Sequence, residues 1–165
     1  MMSKKIEDPL LALAATLGAA ALARGTMIVT AESCTGGLVA GAITSIAGSS
    51  GWFERGFVTY SDLAKEQQLG VASSTIQRFG AVSEETAKAM AQGAVRGSVA
   101  QWAVAVTGIA GPDGGSPDKP VGTVWFAWAG PSHLQALRRQ FEGDRAAVRK
   151  ASVQVALEGL IDRLA

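Results

Sequence analysis

Apolar residues recur at helical spacing at the start of the chain. Ile6, Leu10, Leu13 and Leu17 form one stripe, and Leu11 and Leu22 lie on the opposite side. This pattern predicts a helix over residues 7–23 with two apolar faces, closed by Arg24-Gly25 with glycine as the C-cap. The apolar run from Met27 to Val29 predicts a strand over 27–31. Beyond it the spacing predicts a helix over 38–46 and a strand over 52–60 that contains Gly56. Two short helices follow, one capped by Ser61-Asp62 and running to Leu69, the other capped by Ser73-Ser74 and running to Phe79. Ser83-Glu84-Glu85 opens a longer helix to about Val99, with its acidic residues in the first turn, where the helix dipole favours them. Residues 102–106 predict a strand. Residues 121–129 and 134–141 predict two more, joined as a hairpin at Gly130-Pro131. Gly143-Asp144 opens a final helix to Leu164.

Strands that alternate with helices imply a sheet covered on both faces, and the late hairpin makes that sheet mixed. The expected fold is therefore α/β: a three-layer α/β/α sandwich with a mixed, mostly parallel sheet. At 165 residues the chain is expected to form one domain, residues 1–165. A chain of this length buries roughly 70% of its unfolded surface, enough to fold without a disulfide or a metal.

Composition narrows the function. A net charge of +1 supplies no general attraction to nucleic acid or anionic lipid, so neither is expected as a partner. One cysteine, Cys34, excludes an intramolecular disulfide, and with one histidine, His133, it excludes a Cys/His zinc cage. A reducing, cytoplasmic setting is the natural reading. The basic residues 1–5, the apolar stretch 10–23 and Ala21-Leu22-Ala23 imitate a signal peptide, but Glu7, Asp8 and Pro9 interrupt the junction and the helical stripe explains the stretch better. The stretch also falls short of the ~20 residues that span a bilayer. Its second apolar face suits a subunit contact, and a homodimer is expected.

Two polar, glycine-flanked turns follow strands: Thr30-Ala31-Glu32-Ser33-Cys34-Thr35-Gly36-Gly37 and Thr107-Gly108-Ile109-Ala110-Gly111-Pro112-Asp113-Gly114-Gly115. Strand tips of open α/β sheets are where small molecules bind. A serine–histidine–acid triad is disfavoured, because His133 starts a hairpin strand far from both turns and there is no G-x-S-x-G. No phosphate-binding lysine loop occurs either, although glycine-rich turns can still hold one phosphate through backbone N–H groups. Cys34 reads as a small buried residue rather than a nucleophile. A serine without a histidine can use a lysine of depressed pKa as its base. Tyr60 and Lys65 flank the start of one short helix, and Ser50 precedes the strand before it; by spacing alone an exposed helix lysine and a strand-end tyrosine explain them better. Arg145 stands in the first turn of the last helix, where it opposes the dipole, so either a bound anion or an ordinary surface charge accounts for it. Asp113 and Asp118 read as turn formers.

At these residues the sequence closely resembles the CinA C-terminal domain family, the nicotinamide-nucleotide amidohydrolases. The resemblance rests on Ala31-Glu32-Ser33-Cys34-Thr35-Gly36-Gly37, Gly48-Ser49-Ser50, Tyr60-Ser61, Lys65, Gly80-Ala81-Val82-Ser83, residues 106–112, residues 119–124 and Gly143-Asp144-Arg145. It implies hydrolysis of the carboxamide of nicotinamide mononucleotide to nicotinate mononucleotide and ammonia, with no metal or redox cofactor. It further implies a serine–lysine–tyrosine amidase, with Ser50 as nucleophile, Lys65 as general base and Tyr60 as proton relay. Ser33 matches a motif as well, and is the alternative nucleophile. Ser33, Thr35, Gly36, Gly37, Thr107, Gly108 and Arg145 would bind the substrate. The loop with Asp113 and Ser116-Pro117-Asp118 departs from the family's usual Gly-Gly-Gly-Thr-Pro-Glu, and the larger N-terminal domain of some relatives is absent from this sequence. The competing function is a non-catalytic module that binds a mononucleotide with the same turns.

Overall fold

The computed structural model describes residues 7–165, so Ile6 and the basic residues 1–5 lie outside the described residues. The elements run α1 (Pro9–Arg24), β1 (Ile28–Glu32), α2 (Leu38–Thr44), a 3-10 turn (Ser49–Gly51), β2 (Phe53–Val58), α3 (Asp62–Leu69), α4 (Ser73–Phe79), α5 (Glu84–Arg96), β3 (Trp102–Gly108), β4 (Thr123–Gly130), β5 (His133–Gln140) and α6 (Arg145–Leu164). Among the described residues no helix is long and apolar enough to cross a membrane.

The sheet order is β2-β1-β3-β4-β5. β1 pairs parallel with β2 and β3, whereas β3–β4 and β4–β5 are antiparallel, so four of the five strands run in one direction. The chain moves from β1 to one side for β2 and to the other side for β3. That reversal opens a crevice at the C-terminal ends of β1 and β3, the switch point at which open α/β sheets bind ligands.

Side-chain alternation divides the core into two layers. Ile28, Val104, Val106, Val124, Phe126 and Trp128 cluster with Leu17 of α1, Ile43 of α2 and Leu157 of α6. Val29, Ala31, Ala103, Ala105, Ala127 and Ala129 cluster with Leu69 of α3, Ile76 of α4 and Met90 of α5. Because both faces are covered, β1 and β3 read as continuous apolar runs. The alanine-rich face lets α5 lie close to the sheet, and α5 in turn meets α3 backbone to backbone: a Cβ on Gly93 would stand 1.9 Å from the Leu69 carbonyl oxygen.

Caps explain the element ends. Asp8 caps α1 through Leu10 N–H, and Gly25 at φ 60° closes it. Ser61, Ser83 and Asp144 cap α3, α5 and α6. The expected Ser73-Ser74 cap is corrected: Ala72 is the N-cap of α4, without a side-chain bond, and Ser73 is already helical. α2 stops at Thr44, where the Thr44 and Ser45 hydroxyls donate back to the Ala40 and Gly41 carbonyls. α5 stops at Arg96, before Gly97. Trp52 falls outside β2; its indole is buried against Gly18 of α1.

Gly93→Ala should destabilise the protein by about 1–3 kcal/mol, because overpacking against Leu69 outweighs the roughly 1 kcal/mol gain in helix propensity. Urea unfolding at constant m-value checks this, and a stabilised variant would contradict the close α3–α5 contact.

Candidate active site

The C-terminal ends of β1 and β2 lie side by side, with Glu32 opposite Val58 and Thr59 N–H donating to the Glu32 carbonyl at 2.8 Å. On its other side Glu32 pairs with Val106, and Ser33 N–H donates to the Val106 carbonyl at 2.9 Å. Ser33 is thus set at the rim of the crevice by backbone bonds to β3. After β2 the chain turns at Tyr60, and the Ser61 hydroxyl accepts Ala64 N–H at 3.0 Å to start α3. Lys65 follows one turn later. Side chains in a helix slant toward its N-terminus, which sends the Lys65 amine back over the strand ends.

The amine lands on three acceptors. Lys65 Nζ is 2.9 Å from Ser33 Oγ, 2.9 Å from the Thr59 carbonyl and 3.3 Å from the Tyr60 carbonyl. Lys65 is 1% exposed and Ser33 7%. Burial pushes the Lys65 pKa below its ordinary value, while Asp62 and Cys34 act in the opposite direction. A carbonyl can only accept, so a neutral amine spends its two N–H groups on Thr59 and Tyr60. Its lone pair then faces the Ser33 hydroxyl, the one partner able to donate.

These residues line a cavity of about 240 Å³ together with Cys34, Tyr60, Asp62, Ala81, Val82, Thr107, Gly108, Ala110 and Arg145. Thr107 is buried and its hydroxyl donates to the Ala81 carbonyl at 2.8 Å. Arg145 begins α6 at the mouth, donating to the Gly111 carbonyl at 2.9 Å and to Tyr60 Oη at 3.1 Å. That bond ties the second polar turn to the start of α6. Burial raises the Cys34 thiol to about 11, which keeps it protonated and unreactive beside Ser33.

Residues 10–164 match the CinA C-terminal domain. The chain belongs to the CinA C-terminal domain family. It is 54% identical over 154 residues to a protein of Pseudomonas putida named nicotinamide-nucleotide amidohydrolase PncC, covering 93% of this chain and 96% of that one. The Escherichia coli K12 protein of the same name is 54% identical over 155 residues, covering 93% and 94%. A crystal structure of a competence/damage-inducible protein from Agrobacterium tumefaciens superposes with a TM-score of 0.92 at 47% identity, covering 97% of this chain and 98% of that one.

On this CinA-domain fold, the expected site residues separate into three groups. Ser33, Tyr60, Lys65, Thr107, Gly108 and Arg145 share the cavity wall. Thr35, Gly36 and Gly37 do not; they turn behind Ser33 into α2, where Thr35 is fully buried and its hydroxyl has no partner among the described residues. Ser50 is the main correction. It is exposed in the 3-10 turn before β2, beside the end of α1, whereas Lys65 and Tyr60 follow the opposite end of β2. Six strand residues at ~3.3 Å each separate the two ends by roughly 17 Å, far beyond proton-transfer reach. The Tyr60 hydroxyl meets Arg145 rather than Lys65. His133 is half-buried outside this cavity and accepts from Arg163 Nε at 3.0 Å. Cys34, Asp62, Ala81, Val82 and Ala110 complete the wall without having been named as substrate-binding; all but Asp62 lie in the motifs that carry the family resemblance, which were the available signal.

The Lys65 ammonium should titrate below the ~10.4 of an ordinary lysine. In the window between the two values the unfolded chain binds more protons, so this group's contribution to stability rises with pH there and levels off above the ordinary value. The Nζ shift of labelled Lys65 across pH checks the direction, and an ordinary or raised titration would contradict it.

Proposed function

We propose that the protein is a nicotinamide-nucleotide amidase that converts nicotinamide mononucleotide and water to nicotinate mononucleotide and ammonia, with Ser33 as nucleophile and Lys65 as general base. The carrying observation is the buried contact of 2.9 Å between Lys65 Nζ and Ser33 Oγ at the switch point of the sheet. The activity named for relatives at 54% identity over nearly their whole length supports the substrate.

An amide is a weak electrophile, and a covalent intermediate splits its hydrolysis into two easier steps. Ser33 Oγ bonds to the carboxamide carbon while neutral Lys65 takes the hydroxyl proton. The developing oxyanion meets a backbone N–H group of the turn. Ser33 N–H is committed to Val106, so the donor is assigned to Cys34 N–H, whose residue lines the cavity. Such a donor is worth about 3–4 kcal/mol. The Lys65 ammonium then protonates the amide nitrogen, the C–N bond breaks and ammonia leaves an ester on Ser33. Water attacks that ester as Lys65 takes its proton, and Lys65 returns a proton to Ser33 as nicotinate mononucleotide departs.

The cavity is smaller than the ~300–1,000 Å³ of sites that enclose a whole ligand, which suits a carboxamide-bearing ring inside and a ribose phosphate at the mouth. Arg145 and the Tyr60 hydroxyl stand there to receive it. In this reading Tyr60 binds and orients substrate rather than relaying the proton. A cytoplasmic enzyme fits the lone reduced cysteine, and the exposed Leu22 of α1 supports a homodimer.

The test is ammonia release from nicotinamide mononucleotide. Ser33→Ala should lose about 10³-fold or more in kcat, and Lys65→Ala about 10²–10⁴-fold. Ser50→Ala should stay near wild type, and Tyr60→Phe should raise KM more than it lowers kcat. The acidic limb of kcat/KM should rise as Lys65 loses its proton. Full activity in Ser33→Ala with loss in Ser50→Ala would overturn the assignment, and tight binding without ammonia would make the protein a mononucleotide-binding module instead.

A further inference from the structure

Glu32 ends β1 immediately before Ser33 and is 1% exposed. Its carboxylate crosses the turn to the start of α2. Oε1 accepts Val39 N–H at 2.9 Å and Oε2 accepts Ala40 N–H at 3.1 Å. These are the second and third residues of α2, the N–H groups that a capping side chain ordinarily satisfies. α2 has no such side chain, because its N-cap is Gly37 at φ 100°. Glu32 therefore caps α2 from seven and eight residues upstream, and a negative group suits the positive end of the helix.

The turn so closed carries the Ser33 hydroxyl. Gly36 and Gly37 both have positive φ, so the backbone between Ser33 and α2 is of the kind that has many accessible conformations. Two charged side chains hold it. Glu32 takes its N–H groups, while Arg149 of α6 donates to the Cys34 carbonyl at 3.1 Å and the Thr35 carbonyl at 3.4 Å. Of the two, only Glu32 is bonded in sequence to Ser33. Its backbone is fixed in the sheet and its side chain is fixed to α2, so Ser33 leaves β1 in one direction, toward Lys65.

We propose that Glu32 is a positioning residue: by capping α2 with both carboxylate oxygens it fixes the Ser33 hydroxyl against the Lys65 amine. The proposal rests on the reading of Ser33 as the nucleophile. Glutamine at this position keeps the shape, but it offers one acceptor oxygen and turns an N–H₂ group toward the second N–H donor. Aspartate keeps the charge but is one methylene too short to reach both.

The experiment compares wild type, Glu32→Gln and Glu32→Asp by steady-state kinetics, by amide exchange at Val39 and Ala40, and by reaction with a fluorophosphonate. In that reaction Ser33 Oγ bonds to phosphorus, fluoride leaves and Lys65 takes the proton, so it needs the hydroxyl–amine pair but not the nucleotide. Glu32→Gln should lower kcat about tenfold to a hundredfold, as a displacement on the order of 1 Å does, and slow Ser33 labelling comparably. KM should stay within about twofold, and exchange should accelerate at Val39 and Ala40 while the sheet stays protected. Retained kcat and labelling beside accelerated exchange would overturn the proposal, as would a loss of activity accompanied by loss of protection throughout the sheet. If Glu32→Gln does not fold, Glu32→Asp carries the same comparison. Wild type that labels at Ser33 without hydrolysing nicotinamide mononucleotide would refute the substrate reading and leave Glu32 to be decided by the labelling rates. Wild type that labels no faster than Lys65→Ala would overturn the positioning claim itself.

Discussion

A buried lysine that forms no ion pair with a carboxylate among the described residues is the constraint around which this structure is arranged. Lys65 is 1% exposed, and its three hydrogen-bond partners are two carbonyls and a hydroxyl. None neutralises an ammonium, so removal from water favours the free base. In the proposed mechanism that condition gives the Ser33 hydroxyl a proton acceptor at 2.9 Å. The proposed serine chemistry therefore does not call on the single histidine, which lies outside the cavity.

The rest of the fold places the two partners. Parallel pairing of β1 with both neighbours brings three strand ends to one edge, and the change of direction between β2 and β3 opens the crevice there. The Ser61 cap sets the phase of α3, which decides where Lys65 points. The close approach of α3 to glycine on α5 lets the lysine-bearing helix sit over the sheet. Arg145, as the first residue of α6, brings a guanidinium to the mouth and joins it to the second polar turn. The cap, the helix contact and the strand register that hold the protein together also set the Ser33–Lys65 distance.

Much of this was legible in the chain. The apolar run Met27–Val29 and residues 102–106 mark the buried strands β1 and β3, and Ser61, Ser83 and Asp144 mark helix starts because their side chains accept N–H groups that the helix leaves unpaired. The proposed Ser33–Lys65 pair was harder for a topological reason. Ser50 is fifteen residues from Lys65 in sequence and at the wrong end of β2; Ser33 is thirty-two residues away and in contact, because parallel neighbours bring like ends together. Sequence distance misleads across a strand that has to be traversed from end to end. The Thr35-Gly36-Gly37 segment carries the composition of a phosphate cradle, yet its glycines serve the turn into α2. Glu32 is hidden for a similar reason: a cap supplied from seven residues upstream leaves no local pattern.

A crystal structure of the Ser33→Ala variant with nicotinamide mononucleotide bound tests the central claim most directly. The account predicts the carboxamide carbon within about 3–3.5 Å of the position the Ser33 oxygen occupies, with Lys65 Nζ beside it and the phosphate at Arg145. A nucleotide whose carboxamide lies near Ser50, or whose phosphate occupies the pocket over Lys65, would contradict it.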